Sequence, residues 1–538
     1  MRQTPNAQKI PVEVVGSNKY GRYQKISTER TVNMFISDDW LLNTAGYKRL
    51  MSLLATGEGR GAHVSIRGNL LIVVINASVY ALDANLYPTL IGTLATESGE
   101  VFIDENLNSQ VAIVDGRNLY IYNYSLPPNL TIQTGLGTLI PNYIEYHNTL
   151  FLIGNANRTS NGAAWYVYQF ATPTTVTQFA QLALQTKPDF AQAVIRLPGG
   201  SSNVLVLGSV VGEIWTSVPT LEVYRRNSTI NVDYGTISVS TIARSDKFIV
   251  WLAVNESNAP VIMVYSGQGA KPISTDGIDY ELSQIQFPSQ STATLYRQDG
   301  HLFYQLTFYN ILDNVTFLYD FTTESFFELT DYAMNYHPAR DYVYFNGKTY
   351  FISLNNASLY QSSTNFTTYD ENLPGPGANP EFDREIQRLR ICNTIRTEDS
   401  SQFRVNSFVM TIEQGNDTNV TGASLLNNEN LLITEDLFIP PDDIIITEGG
   451  IPMADENSGA GIGLGDLPPP YQPRVDCSVS RDGGITWSNT VSRGLNPVGY
   501  RQNILNWDNM GRANYFTIKL RFWGTARFVV FNGFVELF

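Results

Sequence analysis

The chain has 538 residues, of which 43% are hydrophobic, 12% aromatic and only 16% charged. That length and apolar content build a substantial core and exclude a disordered chain. A formal net charge of −15 leaves no basic stripe of the kind that neutralises phosphates in a sequence-specific nucleic-acid reader, so the acidity serves solubility or keeps DNA from adhering.

The opening stretch, "MRQTPNAQKIPVEVVGSNKYGRYQ", lacks the apolar segment of a secretion signal. No run of about 18 apolar residues occurs anywhere, so a protein made in the cytoplasm with no membrane-spanning segment is expected. The two cysteines, Cys392 and Cys477, and the four histidines, His63, His147, His301 and His337, stand singly. No metal or cofactor is expected from that inventory.

From residue 68 onward one pattern recurs: an apolar strand, a short Gly, Asn or Asp turn, and a Tyr-rich strand. It appears as "GNLLIVVINASVYALD" (68–83), "NSQVAIVDGRNLYIYNY" (108–124) and "HNTLFLIGNANRTSNGAAWYVYQF" (147–170). It continues as "SSNVLVLGSVVGEIWTS" (201–217), "SDKFIVWLAVNESNAPVIMVYSG" (245–267), "QDGHLFYQLTFYNILDNVTFLYDF" (298–321) and "ARDYVYFNGKTYFISLNNASLYQSS" (339–363). The starts lie 39 to 54 residues apart, the span of a four-stranded propeller blade. Asp115-Gly116 and Asn346-Gly347 are strong hairpin turns.

The fold class is therefore all-β: a six- or seven-bladed β-propeller over 51–369, with a pair of stacked β-sandwiches as the structural alternative. Pro/Gly-rich "DENLPGPGANPEFD" (370–383) marks a boundary, and 370–415 is read as a linker followed by the first strands of a second, β-sandwich-like domain. Residues 416–472 are acidic and rich in Gly and Pro, and read as a projecting loop or arm. Residues 473–538 supply the closing strands, with alternation through Phe516, Ile518, Leu520 and Phe522. The N-terminal segment, 1–50, is assigned to the second domain.

Within those strands "VSRDGGITWSN" (479–489) reads Ser-x-Asp-x-Gly-x-Thr-Trp, an Asp-box. Its chemistry is that of a turn. Asp482 accepts backbone amides, Gly484 supplies a conformation closed to most residues, Ser480 adds a bonding group, and Trp487 folds back to bury apolar area. A sialidase would carry several such boxes and three arginines around a substrate carboxylate. "STDGIDY" (274–280) matches only superficially, since Asp and Gly are adjacent. No phosphate-cradling loop or nucleophile elbow occurs either, so no enzyme is expected, with a carbohydrate-binding or sialidase-like propeller as the alternative.

Beyond the box the order of features resembles the tail-hub family of short-tailed bacteriophages, also called nozzle or packaged-DNA stabilisation proteins. The resemblance rests first on the Asp-box hairpin followed by Gly494, Gly499 and Tyr500, then Trp507 and Met510-Gly511-Arg512. Ala513 departs from it, where a second basic residue is usual. It rests second on "ERTVNMFISDDWLLNTAGYKRL", with Val32, Asn33, Met34 and Phe35 followed by Gly46, Tyr47 and Leu50. It rests third on "NAPVIMVYSGQGAKPISTDGID" (258–279), and covers most of the chain outside 416–472.

This resemblance implies a structural protein of the virion tail. It implies a homo-hexamer below the portal and head-to-tail adaptor rings, carrying tail fibres or spikes around a channel for packaged DNA. On that reading 1–50 is an adaptor-contact segment, with Val32, Asn33, Met34, Phe35, Gly46 and Tyr47 as adaptor or subunit contacts. The acidic arm becomes a channel gate through Asp436, Asp442, Asp443 and Glu448.

Overall fold

The computed structural model describes residues 8–20, 29–126, 130–172, 175–220, 222–267, 269–374, 383–397, 399–415, 473–495 and 502–537. The acidic arm, with Asp436, Asp442, Asp443 and Glu448, lies outside the described residues, as do Gly499 and Tyr500. The chain divides into two compact units, one formed by 17–33 and 44–384 and the other by 1–16, 34–43 and 385–538.

In the first unit seven sheets of mainly antiparallel strands follow one another among the described residues, at 59–93, 102–132, 141–183, 193–232, 235–272, 291–328 and 339–370. They are blades 1 to 7 of a propeller. Each of the seven sequence repeats contributes strands to one blade. The run "LLIVVI" (Leu70–Ile75) shows why a whole strand can be apolar: Ile72 and Val74 pack towards blade 2, whereas Leu71, Val73 and Ile75 pack towards blade 7. Successive residues of a strand face opposite sides, so a sheet between two others needs both sets apolar. The blade 7 to blade 1 core closes the ring, which excludes the paired-sandwich alternative.

The N-terminal segment completes the ring from within the same unit. Gly46–Ser52 is the fourth strand of blade 7, antiparallel to Ser358–Ser363 and parallel to Thr368–Asp370. Arg30–Val32 adds to blade 6 beside Ser325–Glu328. Turn chemistry follows the sequence at Asn346-Gly347, where both φ values are positive (46° and 79°). At Asp115-Gly116 the turn is held by the Asp115 carboxylate, which accepts from the amides of Arg117 and Asn118 at 3.0 and 2.6 Å. "STDGIDY" is a helix start rather than a hairpin: Thr275 caps Asp276–Gln284.

The second unit is a sandwich. One sheet joins Met34–Ser37, Trp40–Asn43, Phe528–Leu537, Phe403–Gln414 and Gln502–Ala513, with Gln8–Val12 also paired to Phe528–Leu537. The facing strands Arg388–Ile391, Thr517–Trp523, Arg474–Ser480 and Val491–Gly494 pair in that order. Phe408, Met410, Trp507 and Val535 meet Val475, Cys477, Ile518 and Leu520 in one core. The alternating residues Phe516, Ile518, Leu520 and Phe522 are all 0% exposed. Both cysteines are buried there.

Candidate functional site: the propeller channel

The first strand of each blade lies nearest the axis, and consecutive first strands are neighbours around the ring. These strands carry ionisable groups where the second strands carry mostly Val, Leu and Ile. Two clusters result, and each joins neighbouring blades.

In the first, Glu145 of blade 3 pairs with Arg196 Nε of blade 4 at 2.8 Å and Arg244 Nη1 of blade 5 at 3.1 Å. Asp104 of blade 2 accepts the Tyr146 amide at 2.7 Å. Burial pushes Glu145 well above the usual carboxylate range, against the pull of Arg244 and with a further push from Asp104. Burial likewise lowers the His63 imidazole, which Asp104 and Glu105 partly restore.

In the second, Arg340 of blade 7 has only 1% of its side chain exposed. Its Nη2 is 3.4 Å from Glu58, its Nη1 is 3.9 Å from Glu100, and the Tyr309 ring lies 5.7 Å from its guanidinium carbon. Glu100 accepts from Thr292 Oγ1 of blade 6 at 2.9 Å. Burial raises Glu100 to about 8, because the nearest Arg340 nitrogen stays beyond hydrogen-bond reach. Asp341, which accepts the Ala62 amide of blade 1 at 3.2 Å, is pushed by burial up to about 6.

Chemically these are ties between blades. Buried charges are retained only when paired or hydrogen-bonded, and here the partner is supplied from another blade in every instance. Sialidase chemistry would need three arginines converging on one substrate carboxylate; here Arg196 and Arg244 each give one nitrogen to the protein's own Glu145. Sequence reasoning missed this site because its members come singly from separate blades. The available signal was a lone acid inside an apolar strand, as at Glu145 in "PNYIEYH".

The N-terminal residues expected to contact an adaptor or another subunit are internal. Val32, Asn33, Met34 and Phe35 are 0% exposed, Tyr47 is 1% exposed and Gly46 is buried. Within one chain these residues pack internally. Asn33 takes a positive φ of 57°, and its side chain exchanges hydrogen bonds of 2.8 Å with the Thr330 amide and hydroxyl. Met34 and Phe35 pair with Asn43 and Leu42 in the second unit's hairpin. A Cβ on Gly46 would sit 2.5 Å from the Phe366 carbonyl and also collide with that of Thr368, so only glycine fits. Tyr47 is caged by Phe351, Tyr360, Tyr369 and His337, and its hydroxyl donates to Glu371 at 3.0 Å.

In the Ser480–Trp487 turn the Asp482 carboxylate accepts the amides of Ile485 and Thr486 at 3.0 and 2.9 Å, together with the hydroxyls of Ser480 and Thr486. Those bonds, Ser480's foremost, hold its carboxyl well below the usual range. Ser480 Oγ also accepts the Gly484 amide at 2.7 Å, and Gly484 has φ 98°. Trp487 is half-buried rather than deeply packed, with Lys519 Nζ 4.2 Å from its ring. Downstream, Trp507 is 2% exposed and donates from Nε1 to the Val491 carbonyl at 2.9 Å, while Gly511 takes φ 100°.

A family model described as "Bacteriophage P22 Gp10, beta-propeller" matches residues 8–366. The chain belongs to this family. Membership makes it a bacteriophage structural protein and a component of the virion, built on a β-propeller with a further C-terminal domain. No curated protein matches it. Among solved structures it is similar to the WD40 propeller domain of Doa1 at 10% identity, covering 59% of this chain and 97% of that one with a TM-score of 0.38. Streptogramin B lyase gives 9% identity, 60% and 98% coverage and a TM-score of 0.39. The Pan2 WD40 domain of Neurospora crassa gives 10% identity, 61% and 97% coverage and a TM-score of 0.37. Across the described residues of this phage family member, no helix is long and apolar enough to cross a membrane.

Proposed function

We propose that the chain is the tail-hub, or nozzle, subunit of a short-tailed bacteriophage, acting structurally and not as an enzyme. The observation that carries this reading is the match of the phage stabilisation family model to residues 8–366. Six copies form a ring that docks below the portal and head-to-tail adaptor, helps retain packaged DNA, surrounds its exit path and carries tail fibres or spikes. Fibres, adaptor and DNA are its partners in the tail of the virion.

The charge supports the reading. Six chains carry six times the formal charge of −15, and acids lining a bore repel phosphates so that DNA slides without sticking. In this reading DNA travels through the bore between subunits, because each propeller's own channel is occupied by side chains such as Glu145 and Arg340, 3% and 2% exposed. The Ser480–Trp487 turn serves as an Asp-box that holds strands together. Asp436, Asp442, Asp443 and Glu448 on the arm constrict the bore.

Particles assembled without this chain test the role. They are expected to fill with DNA and then lose it; particles that retain full genomes without the chain contradict the reading.

A further inference from the structure

Three arginines stand at the same end of the inner strands of three successive blades. Arg196 ends Ala193–Arg196 of blade 4, Arg244 ends Ala243–Arg244 of blade 5, and Arg297 is the penultimate residue of Ser291–Gln298 in blade 6. In a chain with only 35 basic residues against 50 acidic ones, three arginines thus recur at one position of successive blades.

Two hollows lie along that row, with volumes of about 440 and 470 Å³, and they share Arg244, Ser245 and Asp246 as a common wall. Each falls in the size range of small-ligand sites, about 300–1,000 Å³. The first is completed by Arg196 and the Gly199-Gly200 turn, whose φ values of 77° and 68° leave open space above both Cα atoms. The second is completed by Arg297, Leu295, Val343 and Tyr344.

The groups are ready for a ligand. Glu145 holds one nitrogen each of Arg196 and Arg244, and the Tyr146 carbonyl accepts from Arg196 Nη1 at 3.2 Å, which leaves further guanidinium donors on both for an anion. Arg297 is exposed. Tyr344 is 69% exposed and offers a ring face to solvent. Ser245, Asp246 and Ser201 add hydroxyl and carboxylate partners.

We propose that this rim, over blades 4 to 7 of the propeller, binds an acidic oligosaccharide. Carboxylates on the sugar chain pair with the arginines, a sugar face lies on Tyr344, and sugar hydroxyls bond Ser245 and Asp246. A nucleic-acid backbone fits less well, because the surface is two hollows rather than a continuous cationic track. The site does not depend on the ring proposed above, since every residue in it belongs to one propeller.

Calorimetric titration of the full chain with tetragalacturonate tests it, against uncharged maltotetraose and an oligothymidylate of equal charge. Saturable binding of tetragalacturonate is expected, weakened about tenfold or more by Arg297→Ser and by Tyr344→Ala, the size of one lost charge-assisted contact. Maltotetraose is expected to bind at least about tenfold more weakly than tetragalacturonate. Both substitutions are at exposed positions, and unchanged melting curves show that the fold is intact. Absence of saturable binding, equal affinity in wild type and both variants, or tighter binding of maltotetraose or oligothymidylate overturns the proposal.

Discussion

Tyr47 lies against Tyr369 with ring centroids 4.4 Å apart and planes 14° from parallel. One residue precedes the propeller repeats and the other follows them, so this stack is the point at which the ring is fastened. The fastening is backbone as well as side chain, since the strand carrying Tyr47 lies between Ser358–Ser363 and Thr368–Asp370.

Opening the fastening should cost much of the stability of the propeller. Tyr47→Ala removes a fully buried aromatic ring and is expected to destabilise by about 3–5 kcal/mol. Gly46→Ala should do comparable damage, because the added methyl meets backbone carbonyls that have no room to move. Thermal unfolding followed by circular dichroism checks both, and melting within a degree of wild type would refute the fastening role.

Glu100 gives a pH dependence of definite sign. Its folded pKa, about 8, lies above the ordinary value of 4.5, so the folded state holds the proton where the unfolded state has lost it. Stability from this group is therefore complete below about pH 4.5 and declines as pH rises through 8, by at most about 1.4 kcal/mol per pH unit. Asp341 acts with the same sign up to about pH 6. Glu100→Gln should melt higher than wild type at pH 8, with the gap closing by pH 5; a gap independent of pH would show that Glu100 is ionised in the fold.

Asp482 has the opposite sign. Its carboxyl is held low by Ser480 and Thr486, so its contribution is present at neutral pH and is lost as pH falls below the ordinary carboxylate range towards the depressed folded value. Asp482→Ala should lower the melting temperature at pH 7 and leave the propeller's own transition in place. A loss of the propeller transition as well would contradict a local, structural role for the turn.

Deleting 416–472 separates gate from scaffold. The shortened chain should still assemble into rings, while particles built from it leak DNA or lack fibres. Particles that keep both DNA and fibres would remove the gate proposal.

The seven blades were legible because a sheet covered on both faces needs apolar residues at successive positions, and runs such as "LLIVVI" and "NVLVL" announce that. The edges of blades were not. Pro88–Thr93 is mostly exposed and carries no apolar pattern, and the inner position of blade 5 is split between Gly235–Thr236 and Ala243–Arg244 around a 3-10 turn. The N-terminal motif was visible as a motif, but the sequence does not say whether Asn33 and Tyr47 face inward or outward. The channel was invisible for a topological reason: Glu145, Arg196 and Arg244 become neighbours only once three blades stand side by side.

The central claim, a ring of identical subunits, is tested most directly by native mass spectrometry of the purified full chain. The account predicts a dominant species of six times the 60.0 kDa chain mass. A protein that stays at the single-chain mass at every concentration, alone and with its adaptor ring, would contradict it.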